Sequence, residues 1–213
     1  MPKLKPEELE SRRQEIIDAA RTCFLRAGFH QTTTDQICRE ANITPGGLYH
    51  YFTSKDELIS AVIERSAAAA IERMRDLIEQ ADDTESAFRQ VAGFFYKAMQ
   101  DPDVDNITRL DIEIWAEGTK NEKLAARNRT AWVLRERWLE ALVQRGIDGG
   151  IINREGVEPK GMASFLISVL IGMRVARVVV GEEFDTLGAM RSLFTMQGGR
   201  MAAELTELGV PAA

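Results

Sequence analysis

The segment that most constrains the fold covers residues 33–55 and reads TTDQICREANITPGGLYHYFTSK. Thr33 stands three residues before Gln36, which is the spacing of a capping box at the start of a helix. Asn42 then interrupts the helical pattern with a residue that tolerates a positive φ. Thr44 can cap the next helix. The pattern therefore predicts two short helices joined by a tight turn.

The second of these helices is predicted from Pro45 to Phe52, with the proline at the first position, where its missing N–H costs nothing. Helical spacing places Leu48, Tyr51 and Phe52 together on an inward face. The opposite face combines small residues with two aromatic hydrogen-bonding side chains, and its members are Pro45, Gly46, Tyr49 and His50. Such a face, at the positive end of a helix dipole, can approach phosphates and base edges in a major groove.

A third helix is predicted to start at Ser54, which forms another capping box with Glu57. Lys55 lies in its first turn, where a cation is unfavourable for the helix dipole. A phosphate contact would offset that penalty, and the alternative is a surface lysine without a specific role. Two short helices, a turn and a third capped helix are typical of a helix-turn-helix that reads DNA.

Upstream, the sequence predicts a helix from Arg12 to Ala27. Its inward stripe consists of Ile16, Ala20, Cys23, Phe24 and Ala27. Gly28 suits the end of this helix, and Phe29 can pack back on Phe24. Residues 1–10 are polar and are predicted to be disordered.

Together these motifs resemble the TetR family of transcriptional regulators over about residues 11–60. The matching positions are Gly28-Phe29, Thr32-Thr33, Ile37, Ala41, Ile43-Thr44, Gly47-Leu48-Tyr49, Tyr51-Phe52, Ser54-Lys55 and Leu58. Asn42 departs from the glycine that the family usually has there, but it tolerates the same backbone conformation.

The resemblance implies a homodimer that binds a near-palindromic operator, usually as a repressor. It also implies a larger, variable helical domain that binds a small molecule and forms the dimer interface. The positions that the resemblance carries over as DNA contacts are Thr33, Thr44, Pro45, Gly46, Tyr49, His50 and Lys55.

The net charge of −6 argues against a protein that coats nucleic acid, but it is compatible with a local reader. Residues 11–55 carry a net charge of +2 and the remaining residues carry −8. The acidic remainder of the chain would be repelled by DNA and would orient the basic N-terminal helices, here called the headpiece, toward it.

The two cysteines, Cys23 and Cys38, are predicted to be small buried thiols. Their spacing with His30 and His50 fits no zinc pattern, so no metal and no cofactor are expected. The N-terminus lacks the apolar stretch of a signal peptide, and the expected location is the cytoplasm.

The whole chain is predicted to be all-α, with about nine helices in a three-helix headpiece and a larger helical domain. The predicted divisions are a disordered segment at 1–10, a DNA-binding domain at 11–56 and an effector-binding and dimerisation domain at 57–213. In the larger domain, helix breaks predict helices at about 55–80, 85–100, 104–117, 122–145, 159–180 and 185–208, with a turn at 146–150.

Residues 163–180, ASFLISVLIGMRVARVVV, are apolar on almost every side. A membrane span is one interpretation, but the length is borderline and Arg174 and Arg177 interrupt it. The alternative is a helix buried on every side, with one face on its own chain and one on a partner. The last helix adds an apolar stripe of Leu187, Met190, Phe194, Met201, Leu205 and Leu208. We therefore expect a homodimer through about 160–180 and 185–208, and no membrane partner.

A pocket for an unknown small-molecule effector is expected among the middle helices. The candidate lining residues are Phe95, Met99, Asp111, Trp115, Trp132 and Arg174. A carboxylate at Asp111 could select a cationic or hydrogen-bonding ligand, or it could form a structural pair with Arg109 or Arg174. Arg174 could equally bind an anionic ligand.

The resulting hypothesis is a dimeric regulator, most simply a repressor, that a small-molecule effector releases from a palindromic operator. An alternative is a helical small-molecule sensor whose headpiece docks a protein instead of DNA. An enzyme is disfavoured, because the sequence has no nucleophile elbow, phosphate-binding glycine loop or HExxH motif.

Overall fold

The computed structural model describes residues 5–196, which contain α-helices, one 3₁₀ turn and no strands. The predicted all-α fold is thus confirmed over this part of the chain. The helices are α1 (Pro6–Ala27), α2 (Thr34–Glu40), α3 (Pro45–Tyr51), α4 (Lys55–Glu79), α5 (Thr84–Gln100), α6 (Val104–Gly118), α7 (Glu122–Asp148), α8 (Pro159–Val180) and α9 (Thr186–Met196), with a 3₁₀ turn at Gly181–Glu183.

The first helix begins earlier than the sequence analysis predicts. Residues 6–10 are helical rather than disordered, because Pro6 occupies the first helical position and the Glu8 carboxylate accepts the Lys5 backbone N–H at 3.0 Å. Residues 1–4 lie outside the described part of the chain. The C-terminal end agrees with expectation, since Gly28 follows α1 with a φ of 77°.

The chain divides into two compact units whose borders differ from the predicted domain boundary at residue 56. The first unit comprises the chain up to Ala68 together with Arg109–Ala131. The second comprises Ala69–Thr108 and the chain from Trp132 onward. The borders fall inside α4, α6 and α7, so three helices each contribute to both units.

One continuous hydrophobic core explains why the first unit needs two stretches of chain. Phe24, Ile37, Leu48 and Phe52 from the N-terminal helices are almost completely buried in it. Side chains from α6 and α7 complete the same core, and they are Leu110, Ile114 and Leu124. Without those later residues, apolar surface on the N-terminal helices would face water.

The second unit contains two apolar clusters built from α5, α7, α8 and α9. Its α7 continues to Asp148, three residues beyond the predicted end at Arg145. Gly146, expected to open a turn, is helical and buried, and a Cβ there would lie 2.7 Å from the Phe88 ring. This glycine therefore serves close packing, and the turn follows at Gly150, which has a φ of 73°.

Helix α8 exposes much of its apolar surface in the single chain. The part of the chain that the structure describes has one helical stretch long and apolar enough to cross a membrane, Pro159–Glu183. Within its most apolar 18 residues, 17% are buried. Ala163, Ile167 and Met173 face the interior of the second unit. Phe165 is 52% and Val179 is 73% exposed, so the face expected to pack on a partner is open in the single chain.

The last predicted helix is described only as far as Met196. Within it, Met190 and Leu193 are buried in the second unit, and Leu187 packs against them. The remaining predicted stripe residues, Phe194, Met201, Leu205 and Leu208, have side chains outside the described part.

Candidate nucleic-acid interface

Helices α2 and α3 form the predicted helix-turn-helix, with both predicted caps in place. The Thr33 hydroxyl accepts the Gln36 N–H at 3.2 Å, and the Gln36 side chain accepts the Thr33 N–H at 2.7 Å. The Thr44 hydroxyl accepts the Gly47 N–H at 3.1 Å. Asn42 has a φ of 51°, so it supplies the left-handed residue that the turn needs.

The turn is also held from outside by Arg12 of α1. One guanidinium nitrogen donates to the Asn42 carbonyl oxygen at 3.1 Å, and another pairs with Glu15. This contact joins residues 30 positions apart, and it satisfies a carbonyl that the tight turn would otherwise leave to water.

The inward face of α3 anchors the helix in the first unit. Leu48 and the following Phe52 are buried as predicted, and the guanidinium of Arg13 lies 5.1 Å from the centre of the Phe52 ring. A short helix held on one side by two large apolar side chains presents its other face to solvent in a fixed orientation.

That outward face is exposed throughout. Tyr49 is 55% exposed, although it is a large aromatic residue. A Cβ at Gly46 would have no atom within 4 Å, so nothing inside the protein requires a glycine there. Of the seven predicted DNA contacts, all except Lys55 are exposed, and all six lie in the helix-turn-helix: Thr33, Thr44, Pro45, Gly46, Tyr49 and His50.

The spacing of Tyr51 predicts that it lies on the inward face, and it packs against the core of the first unit. The structure leaves it half-buried, with its ring edge-to-face against His50 at 5.3 Å. It borders a surface groove of about 570 Å³ beside the turn, lined by Glu8, Ser11, Arg12, Glu15, Asn42, Ile43, Thr44, Gly47 and Tyr51. Tyr51 therefore belongs with the polar side chains that surround the start of α3.

Lys55 differs from the expected surface cation. Its ammonium group donates to the Phe29 carbonyl oxygen and lies 4.4 Å from the centre of the Phe29 ring. Burial lowers the pKa of this lysine, while the nearby Asp56 and Glu113 carboxylates act in the opposite direction. Its contacts are thus inside the first unit, where Phe29 provides both a carbonyl and an aromatic face.

The start of α4 is capped in a way that only partly follows the prediction. The Ser54 hydroxyl accepts the Glu57 N–H at 3.1 Å, as expected. The Glu57 carboxylate instead accepts the N–H and hydroxyl of Thr53, both at 2.7 Å. These two hydrogen bonds, the backbone one first, lower the pKa of Glu57.

The two cysteines lie in the core of the first unit. Cys23 and Cys38 are buried as predicted, and burial raises the pKa of both thiols. Such thiols pack as small apolar groups.

The six candidate effector-binding residues are divided between the two units. Phe95, Met99, Trp132 and Arg174 belong to the second unit, where the Arg174 Nε donates to the buried Thr108 hydroxyl at 3.1 Å. Asp111 and Trp115 belong to the first unit, and Trp115 packs on its core. The structure therefore does not gather all six candidates within one compact unit.

A rigidly seated helix with an exposed polar face, preceded by a capped turn, defines the helix-turn-helix class of DNA-binding proteins. Comparison with known proteins agrees with this class. Residues 16–62 match the family model described as "Bacterial regulatory proteins, tetR family". The DNA-binding part of the chain is thus that of the TetR family of transcriptional regulators.

Among curated relatives, the HTH-type transcriptional regulator UidR of Escherichia coli K12 is 34% identical over 119 residues, which cover 56% of this chain and 58% of UidR. The chain thus matches little more than half of that relative's length.

Two solved structures share the fold. A TetR transcription regulator from Haloarcula marismortui gives a TM-score of 0.75 at 18% identity, covering 93% of this chain and 97% of that one. The regulator FadR from Bacillus subtilis, solved with stearoyl-CoA, gives a TM-score of 0.70 at 21% identity, covering 87% of this chain and 98% of that one.

Proposed function

We propose that this protein is a homodimeric, ligand-responsive transcriptional repressor that acts in the cytoplasm and leaves a near-palindromic operator when a small molecule binds. The observation that carries the proposal is the exposed face of α3, seated on Leu48 and Phe52. Each protomer inserts this face into a major groove, and the two headpieces meet half-sites on one side of the DNA.

The contacts on DNA follow from side-chain chemistry. Tyr49 and His50 reach phosphates or base edges, and Pro45 can touch a thymine methyl group. The Thr44 hydroxyl, which accepts a backbone N–H as a cap, can donate to a phosphate oxygen. The Thr33 hydroxyl can do the same if it exchanges its 3.3 Å hydrogen bond to the Gln36 side-chain oxygen for one to phosphate. Gly46 allows the DNA backbone to approach α3 closely. Lys55 is engaged with Phe29, so we assign it to the support of the headpiece rather than to this contact surface.

The dimer is supported by the distribution of polar and apolar side chains on α8. Both arginines turn toward their own unit, since Arg177 Nε donates to an Asp105 carboxylate oxygen at 2.8 Å and Arg174 donates to Thr108. The exposed side chains of the helix include the large apolar Phe165, Val179 and Val180. A second copy of α8 is an apolar partner for this face.

The effector site is proposed in the second unit, where large apolar side chains meet. Phe95 packs against both apolar clusters of that unit, and Met99 and Trp132 lie in one cluster each. The Bacillus subtilis protein of this fold was solved with stearoyl-CoA, a ligand that combines a long apolar acyl chain with a charged nucleotide part. The effector must favour a dimer whose headpieces no longer match the operator, and DNA affinity falls by the same ratio.

Selection of bound sequences from a random DNA pool tests the function directly. We expect a palindrome, with affinity that falls steeply as salt is raised because phosphate contacts release counterions. The double variant Tyr49→Ala/His50→Ala should weaken operator binding by about a hundredfold, at about 1–3 kcal/mol for each lost contact. Unfolding midpoint and dimer mass serve as controls. A folded dimer that enriches no sequence would instead favour a headpiece that docks a protein.

A further inference from the structure

Both backbone polar groups of one residue, Phe29, which follows the end of α1, meet charged side chains from distant parts of the chain. The Phe29 N–H donates to a carboxylate oxygen of Glu113, on α6, at 2.6 Å. The Phe29 carbonyl oxygen accepts from the ammonium group of Lys55, on α4, which also lies 3.5 Å from the His30 carbonyl oxygen. The anion thus meets the backbone N–H of Phe29, and the cation meets the carbonyl oxygen of the same residue.

The corner between α1 and α2, residues 28–33, depends on such partners for its backbone groups. Phe29 is 5% exposed, so its peptide groups have little access to water and must be satisfied within the protein. Gly28 has a φ of 77°, and a Cβ there would lie 2.5 Å from a Glu113 carboxylate oxygen. The carboxylate therefore occupies the space that any other residue's side chain would need.

The corner leads directly into the DNA-binding helices. The Thr32 hydroxyl donates to the Gly28 carbonyl oxygen at 2.7 Å and lies 3.1 Å from the Cys23 carbonyl oxygen. The next residue, Thr33, caps α2. The direction in which α2 leaves α1, and with it the placement of α3, follows from how residues 28–33 are held.

We infer that Glu113 is a positioning residue for the DNA-binding headpiece: together with Lys55 it fixes the backbone on both sides of Phe29 and so sets the angle at which α2 and α3 are presented. The inference rests on the proposed function. Glu113 does not itself touch the outward face of α3, and it acts through the backbone of the corner.

The test compares Glu113→Gln with Glu117→Gln in the full-length dimer. Glu117 lies one turn further along α6 and faces His30, with a carboxylate oxygen 3.8 Å from its Nε2. Both variants remove the same charge, so general electrostatic effects on DNA binding cancel. The measured quantity is the ratio of operator affinity to affinity for random-sequence DNA, taken well below the unfolding midpoint.

We expect Glu113→Gln to lower this ratio about tenfold, because a charge-assisted hydrogen bond becomes a weaker neutral one. Glu117→Gln should leave it within about twofold. Hydrogen exchange of residues 28–33 should rise in Glu113→Gln alone. In a Lys55→Met background the effect of Glu113→Gln should shrink, because the Phe29 backbone has then already lost one of its two charged partners.

Equal ratios for the two glutamine variants, with unchanged exchange at 28–33, would overturn the inference. A merely structural role of Glu113 would lower the unfolding midpoint without changing the ratio, which also contradicts it. If selection from the random DNA pool yields no operator, that result counts against the proposed function instead. Hydrogen exchange at residues 28–33 then still tests whether Glu113 holds the Phe29 backbone.

Discussion

Gly46 is a residue whose presence has no explanation inside the protein. It lies in α3, its φ is not in the left-handed region, and a Cβ would meet open space. Glycine within a helix reduces stability relative to alanine, because the unfolded chain has more freedom to lose. The proposed close approach of DNA at this position would account for a residue that costs stability and relieves no internal contact.

The variant Gly46→Ala should therefore change stability and binding in opposite directions. We expect the free energy of unfolding to rise by about 0.5–1 kcal/mol, as for a helical glycine replaced by alanine. Operator affinity should fall by about tenfold, which corresponds to about 1.4 kcal/mol. Denaturant unfolding and fluorescence anisotropy measure the two quantities. Unchanged affinity in the stabilised variant would show that DNA does not approach this position.

Glu113 shows why some site residues are beyond sequence reasoning. Its partner is a backbone N–H that lies 84 positions away, and backbone groups leave no trace in the sequence. The threonine caps, by contrast, act over three residues with a fixed spacing, so they are predictable. The contacts of Lys55 with the carbonyl and ring of Phe29 are equally hidden from the sequence, because these groups become its partners only in the folded chain.

At the scale of the secondary-structure elements, the start of α4 makes stability depend on pH. The Glu57 carboxylate accepts two hydrogen bonds from Thr53, and they lower the pKa of Glu57 in the folded protein. A group with a lowered folded pKa stabilises the protein above its unfolded pKa. That contribution disappears as the pH falls through the folded pKa.

The variant Glu57→Gln should accordingly be less stable than the parent near neutral pH, and the difference should vanish in acid. Thermal unfolding between about pH 3 and pH 7 measures this, a range that spans the usual pKa of glutamate. Glu72→Gln, the same exchange on the exposed surface of α4, corrects for the change in net charge. A difference that persists at the lowest pH would contradict the assigned cap.

Element boundaries were predictable where a local signal exists. Pro159 and Gly181 delimit α8 as expected, because proline and glycine act on the adjacent backbone. Gly146 does not end α7 as predicted, because its role is to leave room for the Phe88 ring of another helix rather than to shape the local backbone. The early start of α1 was missed because Lys5 takes the place of the usual small polar cap residue.

At the scale of the whole molecule, the proposed dimer depends on the exposed face of α8. Phe165→Glu and Val179→Glu place a charge on apolar surface that a second copy would bury, at a cost of several kcal/mol. We expect both variants to sediment as monomers and to lose most operator affinity, because one headpiece then meets one half-site. Leu134→Glu, on an exposed position of α7, is the control and should remain dimeric. Dimers in the α8 variants would place the interface elsewhere.

The overall architecture was predictable because amphipathic helices of this length leave few alternatives. The partition into units was not, since it depends on which long-range apolar contacts α6 and α7 make. Leu110, Ile114 and Leu124 read as ordinary inward residues of a second domain. Only the folded chain assigns them to the core beneath the helix-turn-helix.

The interrupted first unit has a consequence for protein engineering. A DNA-reading module cut out at residue 56, or even at residue 68, lacks the three side chains that close its core, and it should be unstable or aggregate. A hybrid regulator that joins this headpiece to another sensor would need to carry residues 109–131 with it. On the ribosome, the same topology means that the reader cannot complete its fold until well over half of the chain has been made.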